Sequence, residues 1–443
     1  MITDLSGRRF GILGLGRSGV GAAGLIKRLG GNALISDSKP AESFGSLPYT
    51  LRARGVEVET GSHARLLTED YDVLIVSPGA MVKQEWQAQL GKRGTQIWSE
   101  LELASQCYDG RWIGVTGSNG KTTTVTLIRG ILEHAGLRVD AVGNIGVAWS
   151  ERLPSTDVDL FVVEVSSFQL EFTQTARPNI CVLLNVLENH LDRHGDLETY
   201  GQLKLKLAAN QGPSDFVILN GDDHFLMRNA HTLKAAPITF SKDSSADWIV
   251  RDGHVASATG QIILSHDEWE LVGTHNLLNA AAAAAAASCL GISETDIHTA
   301  LTRAVAVEHR IEWVRTLDGV HFFNDSKSTN LIATLTALDA IDGPVILLFG
   351  GRPKRESFAP LANLIGNNIR EIVVFGEARE KVSKDVPETS VHFCDDLESA
   401  LMHARTVMHP GDTILLSPGC ASYDQFENYE QRGTLFKKLV YEL

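Results

Sequence analysis

Cysteine is scarce in this chain. There are five in 443 residues (Cys107, Cys181, Cys289, Cys394 and Cys420), with no CxxC pair and no Cys/His ligand spacing. That pattern supports neither a disulfide framework nor a thiolate zinc site, and the five read as buried or inert thiols. Basic charge is also in deficit: 40 Lys and Arg face 54 Asp and Glu, a net charge of −14. The chain as a whole offers no field for a nucleic acid, so any anion must be held by a local site. From Met1 to Gly16 no apolar run reaches the length of a secretory h-region, and Asp4 comes early; a reducing cytoplasm is the expected compartment. Residues 271–293 lack Asp, Glu, Lys and Arg and are long enough to cross a bilayer. They are mostly alanine, however, and carry His275, Asn276 and Asn279, so the expectation is an alanine-rich internal helix and no membrane insertion.

What the chain does contain is alternation. Short apolar runs, glycine turns and helical stretches follow one another: FGILG, NALISD and YDVLIVSPG near the N-terminus; RWIGVTG, DLFVVEVSS, ICVLLNV and DFVILNGDD in the middle; PVILLFGG, IREIVVFGE and DTILLSPG after His309 and Arg310. This is the signature of βαβ units and parallel sheets. Three such series predict an α/β chain of three domains: a Rossmann-like domain over 1–99, a central P-loop-type domain over 100–306 and a second Rossmann-like domain over 307–443. Each apolar run stops where polar residues begin, which predicts polar groups gathered at the C-terminal edge of each sheet, where open α/β folds bind ligands.

The clearest chemical motif is Val115-Thr116-Gly117-Ser118-Asn119-Gly120-Lys121-Thr122-Thr123, placed between an apolar run and a helical stretch. It is a variant phosphate loop: glycines admit phosphate oxygens to backbone N–H groups, Lys121 neutralises charge, and Thr122 offers a hydroxyl to Mg²⁺. Glu164, near the end of the next strongly apolar run, supplies the carboxylate a nucleotide-bound metal needs. After ICVLLNV, Leu187 to His194 crowds carboxylates, a guanidinium and the imidazoles of His190 and His194 at the same edge, with His190 the better placed of the two. Near the N-terminus, Gly14-Leu15-Gly16-Arg17-Ser18-Gly19 with Asp37 beyond it has the form of a dinucleotide fingerprint, which predicts a diphosphate near the helix start without naming it. Asn324 to Asn330, Gly350 to Lys354 and Ser417 to Ser422 place basic and hydroxyl groups at strand ends of the third series, as an anionic substrate would require.

With these pieces in place the chain resembles the Mur ligases, ATP-dependent amino-acid ligases of peptidoglycan synthesis, over essentially its whole length. The order TGSNGKTT, GNIG (Gly143 to Gly146), EVSSFQLE, NHLDRH, HNLLN, EHR, NDSKSTN and SPGCASYDQF carries the resemblance. SSFQLE (Ser166 to Glu171) and ASYDQFENYEQRG are similar to the branch that adds D-glutamate to UDP-MurNAc-L-alanine, and the DNPR-type motif of the diaminopimelate-adding branch is absent. The resemblance implies ATP and two Mg²⁺ ions, small-molecule substrates and a monomer. Leu15, Ser18, Asp37, Ser38 and Gly79 then match a uridine diphosphate site, and Asn144 and His190 match residues that reach the muramoyl substrate or its metal. Gly117, Asn119, Gly120, Lys121, Thr122, Thr123, Asn276, Asn279, Arg310, Asp325 and Lys327 match the ATP set. Thr122, Glu164 and His190 match metal ligands, and Lys204 falls where the family carries a carbamylated lysine supporting the second Mg²⁺. Thr329, Lys354, Ser422, Tyr423 and Tyr429 match the incoming glutamate site. The resemblance further implies an acyl-phosphate intermediate shielded by closure about hinges near Ser99 and Val307. Three alternatives stay open: a related ligase adding glutamate to a folate, which would have no need of Asp37; a nicotinamide dehydrogenase, which would have no use for the second phosphate loop; and a non-catalytic nucleotide-binding protein.

Overall fold

The glycine-punctuated apolar runs pair in parallel. A computed structural model describes residues 1–443 except 190, 244, 258, 270, 306, 342, 355, 356 and 388–390. In it the strands Arg9–Leu13, Asn32–Asp37, Glu57–Thr60, Val73–Val76 and Gln96–Ser99 form a five-stranded sheet in the spatial order 3-2-1-4-5, parallel throughout. Phe10, Ile12, Ile35 and Ile75 are fully buried and share one core with Ala22, Ala23, Leu25 and Ile26 of the helix Arg17–Arg28. Coverage of both sheet faces explains why the inner strands Arg9–Leu13, Asn32–Asp37 and Val73–Val76 read as nearly unbroken apolar runs.

The central sheet has nine strands. Its parallel heart runs Phe216–Asn220, Ile180–Leu183, Arg111–Thr116, Leu160–Glu164, Val139–Gly143. The register sets Val115 beside both Glu164 and Val182, so three strands stop at nearly the same level. Ala280 to Ala287 lie in the helix Thr274–Ser288 and all eight are fully buried; a methyl side chain lets a helix backbone pack closely on every side. Among the described residues no helix is long and apolar enough to cross a membrane. The third sheet has six strands, in the order Glu312–Leu317, Val320–Asn324, Thr413–Gly419, Val345–Gly350, Ile369–Phe375, Val391–Phe393. All its pairings are parallel except the first, an antiparallel hairpin.

The chain is thus α/β with three mostly parallel sheets, and it divides into two compact units. One comprises residues 1–251, 255–263 and 279–300, the other 252–254, 264–278 and 301–443. In the first unit the five-stranded sheet is tied to the central one by Arg28, whose guanidinium donates to the Ser150 and Leu153 carbonyls (2.7 and 2.9 Å). It is also tied by Glu102, fully buried, whose carboxylate accepts from the Gln174, Thr175 and Ala176 amides. The cysteines are all free, four of them buried; burial pushes the Cys107 and Cys289 thiols up to about 11.

Gly19, last of the GxGxxG glycines, shows what the motif does before any ligand is considered. A Cβ there would lie 2.1 Å from the Gly14 carbonyl oxygen and 2.9 Å from Ser77 Oγ, so only glycine lets the helix start this close to the turn. Gly19→Ala is expected to lower the unfolding free energy of the full chain by about 1–3 kcal/mol despite alanine's better helix propensity. Urea denaturation checks this, and an unchanged or raised midpoint would contradict the packing argument.

Candidate functional site

The strand Arg111–Thr116 ends in Gly117 to Gly120, and the helix Lys121–His134 starts immediately. Gly120 adopts φ +83°, a left-handed conformation that side chains disfavour. It thereby turns the chain directly into a helix whose first N–H groups have no intrahelical acceptor. The loop is braced from the neighbouring strand end. Asn119 N donates to Asn185 Oδ1 (2.9 Å), Ser118 N to the Asn185 carbonyl (3.0 Å), and Ser118 Oγ exchanges hydrogen bonds with the backbone of Leu187. Lys121 Nζ lies over the loop, donating to the Gly117 and Ser118 carbonyls (2.7 and 2.9 Å). Thr123 is buried in the first turn, and Asn279 Oδ1 accepts from Thr124 Oγ1 (3.4 Å) close beside Gly120.

Glu164 stands at the end of the adjacent strand, only 1% exposed. Thr122 Oγ1 donates to its Oε2 and Asn144 Nδ2 to its Oε1, both at 2.8 Å. A carboxylate, a hydroxyl and an amide meeting in one small volume make an oxygen-rich donor set suited to a hard cation such as Mg²⁺. Lys204, on the helix Leu197–Leu205, is 2% exposed and lies 4.3 Å from the centroid of the Tyr200 ring. Burial, and then the charge of Lys121, hold its amine well below the usual lysine range. His190 lies outside the described residues.

Within the polar segment Leu187 to His194, His194 and Arg193 are engaged by neighbouring side chains. His194 is 8% exposed, sits 5.4 Å from the Phe168 and Tyr200 rings, and has Nε2 3.0 Å from Ser167 Oγ. Arg193 makes a two-pronged pair with Glu171 and donates to the Ala80 carbonyl. In the five-stranded sheet the Asp37 carboxylate accepts from Leu15 N and Lys39 N (2.9 and 3.0 Å), which folds the glycine turn onto the second strand end. The Leu15 side chain is buried, Ser18 is half-buried, and Ser38 and Gly79 are exposed.

In the second unit the strand ends again collect the polar residues. Asp325 is 3% exposed; its carboxylate accepts from Ser417 Oγ (2.7 Å) and Ile311 N (3.3 Å), and burial pushes its pKa up to about 6 against the pull of Ser328, Ser417 and Arg310. Burial followed by the Arg310 charge brings His275 down to about 4. Asn276 is buried, its amide donating to the Val272 carbonyl (2.8 Å). Lys327 Nζ is 5.2 Å from the Tyr429 ring centroid, and its backbone N–H donates to the His309 carbonyl. Ser422 is buried, Thr329 and Lys354 are half-buried, and Tyr423 is 65% exposed.

Two residues that organise this edge were quoted within motifs of the sequence but given no role there. His309 accepts at Nδ1 from Asn324 Nδ2 (2.9 Å) and touches Tyr429 edge-on. Arg432 is fully buried, and its guanidinium donates to Ser326 Oγ, to the Ser326 and Cys420 carbonyls (2.8 and 3.2 Å) and to the Gly350 carbonyl (3.4 Å). One side chain thus joins the three turns after Asn324, Gly350 and Gly419. Arg432 lies within the quoted motif ASYDQFENYEQRG, but nothing in that motif says what its guanidinium holds.

Known proteins resemble this chain in sequence and in fold. Residues 115–287 match the Mur ligase middle domain and residues 309–420 the Mur ligase glutamate ligase domain. The UDP-N-acetylmuramoylalanine--D-glutamate ligase of Pelotomaculum thermopropionicum is 37% identical over 100% of this chain and 99% of its own length. The Bacillus subtilis protein of the same name is 38% identical over 99% and 98%. Two Thermotoga maritima structures share the fold. The MurF ligase in complex with ADP has a TM-score of 0.63 at 18% identity, covering 93% of this chain and 95% of its own. The MurC UDP-N-acetylmuramate-alanine ligase has a TM-score of 0.61 at 18% identity, covering 98% and 99%.

Arg432→Met preserves much of the buried volume but leaves several carbonyls without donors. It should cost about 3 kcal/mol of unfolding free energy, read from urea denaturation of the full chain; a change within error would show that the three turns hold without the guanidinium.

Proposed function

The chain belongs to the Mur ligase family, and from that membership we propose that it joins D-glutamate to UDP-N-acetylmuramoyl-L-alanine, driven by ATP, in peptidoglycan biosynthesis. The observation that carries this reading is the match over the full length to relatives of that name, on a chain whose braced phosphate loop abuts a buried carboxylate. It is read as a cytoplasmic monomer acting on small molecules, with a uridine diphosphate domain over 1–99, an ATP domain over 100–306 and a glutamate domain over 307–443.

The reaction has two steps. The terminal carboxylate of the UDP substrate attacks the γ-phosphorus of ATP and expels ADP, leaving an acyl phosphate. The amine of D-glutamate, having lost its proton, attacks the acyl carbon; the tetrahedral intermediate expels phosphate and leaves an amide. Gly117, Asn119, Gly120, Thr122 and Thr123 offer the phosphates the backbone of a helix start, and Lys121 releases the loop carbonyls to meet the transferred charge. Asn276, Asn279, Arg310, Asp325 and Lys327 are assigned to the remaining ATP contacts, and Leu15, Ser18, Asp37, Ser38, Gly79 and Asn144 to the UDP substrate. Lys354, Thr329, Ser422, Tyr423 and Tyr429 are assigned to the glutamate carboxylates.

Thr122, Glu164, His190 and Lys204 would hold two Mg²⁺ ions. Bound Mg²⁺ offsets charge on the phosphoryl oxygens. Lys204 fits that role as a carbamate: burial favours its neutral amine, which adds to CO₂ with loss of a proton, and the neighbouring Lys121 charge favours the resulting anion.

Two measurements test these assignments. Phosphate release with ATP, Mg²⁺ and UDP-MurNAc-L-alanine should require D-glutamate; release with L-glutamate, meso-diaminopimelate, L-lysine or L-alanine instead would overturn the substrate assignment while keeping the ligase chemistry. For Lys204, activity should fall several-fold in CO₂-depleted buffer and return on adding bicarbonate, a response absent from Lys204→Ala. Activity indifferent to bicarbonate in the unaltered chain would remove the carbamate.

A further inference from the structure

Glu371, His392 and His403 converge on one face of the third sheet. Glu371 and His392 lie on the last two strands of that sheet, Ile369–Phe375 and the edge strand Val391–Phe393, whose register places Val373 opposite His392. Side chains two residues apart on a strand share a face, so Glu371 and His392 project to the same side. His403 comes from the helix Leu397–Val407, which packs on that side through Leu397, Ala400, Leu401 and Ala404, in one core with Val373. His403 Nε2 is 2.7 Å from Glu371 Oε1, and the His392 and His403 rings stack 3.5 Å apart at 3°. One ligand atom from each of the three falls within 4.8 Å of the others.

We propose that Glu371, His392 and His403 form a binding site for a divalent cation of the zinc class, which clamps the sheet's edge strand to the helix. Two imidazole nitrogens and one carboxylate oxygen are a donor set for Zn²⁺ or Co²⁺, with water completing a tetrahedron; Mg²⁺ prefers oxygen alone. Two planes 3.5 Å apart cannot both contain one ion at the 2.0–2.1 Å Zn–N distance, so one ring must turn. His392 is the exposed member, on the edge strand, and is free to do so, while the Glu371 carboxylate orients the half-buried His403. Glu371 precedes Phe375 by four residues, roughly 13 Å along the strand. Since Phe375 pairs with Gly350 at the polar C-terminal edge, the cation is structural and takes no part in phosphate or amide chemistry.

The test is titration of ZnCl₂, and separately CoCl₂, into the full-length chain by calorimetry, with thermal melting and, for Co²⁺, visible absorption. The unaltered chain should bind one equivalent tightly, melt at higher temperature when loaded, and show the intense visible bands of tetrahedral Co²⁺. His392→Gln, at an exposed position, should fold normally, keep its metal-free melting temperature, and bind at least tenfold more weakly without those bands; His403→Gln should match it in binding. Absence of saturable binding by the unaltered chain, or binding by His392→Gln as tight as before, overturns the proposal.

Discussion

Parallel pairing makes strands end together, and in the central sheet that constraint governs everything else. Thr116, Glu164 and Leu183 finish three adjacent strands at nearly the same level, and the chain beyond each of them becomes polar. Backbone groups at a strand end lose their ladder partners and must find others. Asn185 and Ser118 supply some by bonding across from one loop to the next. The brace that satisfies the backbone is therefore the same one that fixes the glycine loop beside Glu164.

The chain handles anions and buried charge locally, against a net charge of −14. Its deeply buried cations are used in different ways. Arg432 cannot lose its proton under ordinary conditions, so it is surrounded by carbonyls and a hydroxyl and serves as a fixed strut for three turns. Lys204 can lose its proton, and burial together with Lys121 drives it that way. Asp325 is the acidic counterpart: burial raises its pKa, and Ser417 with the Ile311 amide limits the rise. Such groups are costly inside a protein unless satisfied, which is why each lies where strand ends already gather donors and acceptors.

Much of this was legible beforehand. Strand, glycine loop, Gly-Lys-Thr and helix are consecutive, so the phosphate loop could be read without knowing the fold. Glu164 could be singled out only together with the glycine loop, because a strand-end glutamate by itself is more often an ion pair or a cap; the structure sets it against Thr122 of that loop's helix. Asp37 was singled out by spacing, and its carboxylate accepts from the Leu15 and Lys39 amides. His194 and Arg193 were harder: their polar neighbourhood suggested phosphate or metal, whereas Glu171, Ser167 and the stacked rings engage them in packing.

The amino-acid sequence alone determined the strand-and-helix rhythm, the three series, and the local motifs, because periodicity and glycine placement act over a few residues. Only the tertiary structure decided which distant residues share a site. Arg432 reaches Ser326 from more than a hundred residues away, and His403 meets Glu371 across a sheet–helix interface. No short-range pattern encodes such meetings; they follow from sheet register and from the face each helix buries, and both are settled only when the cores pack.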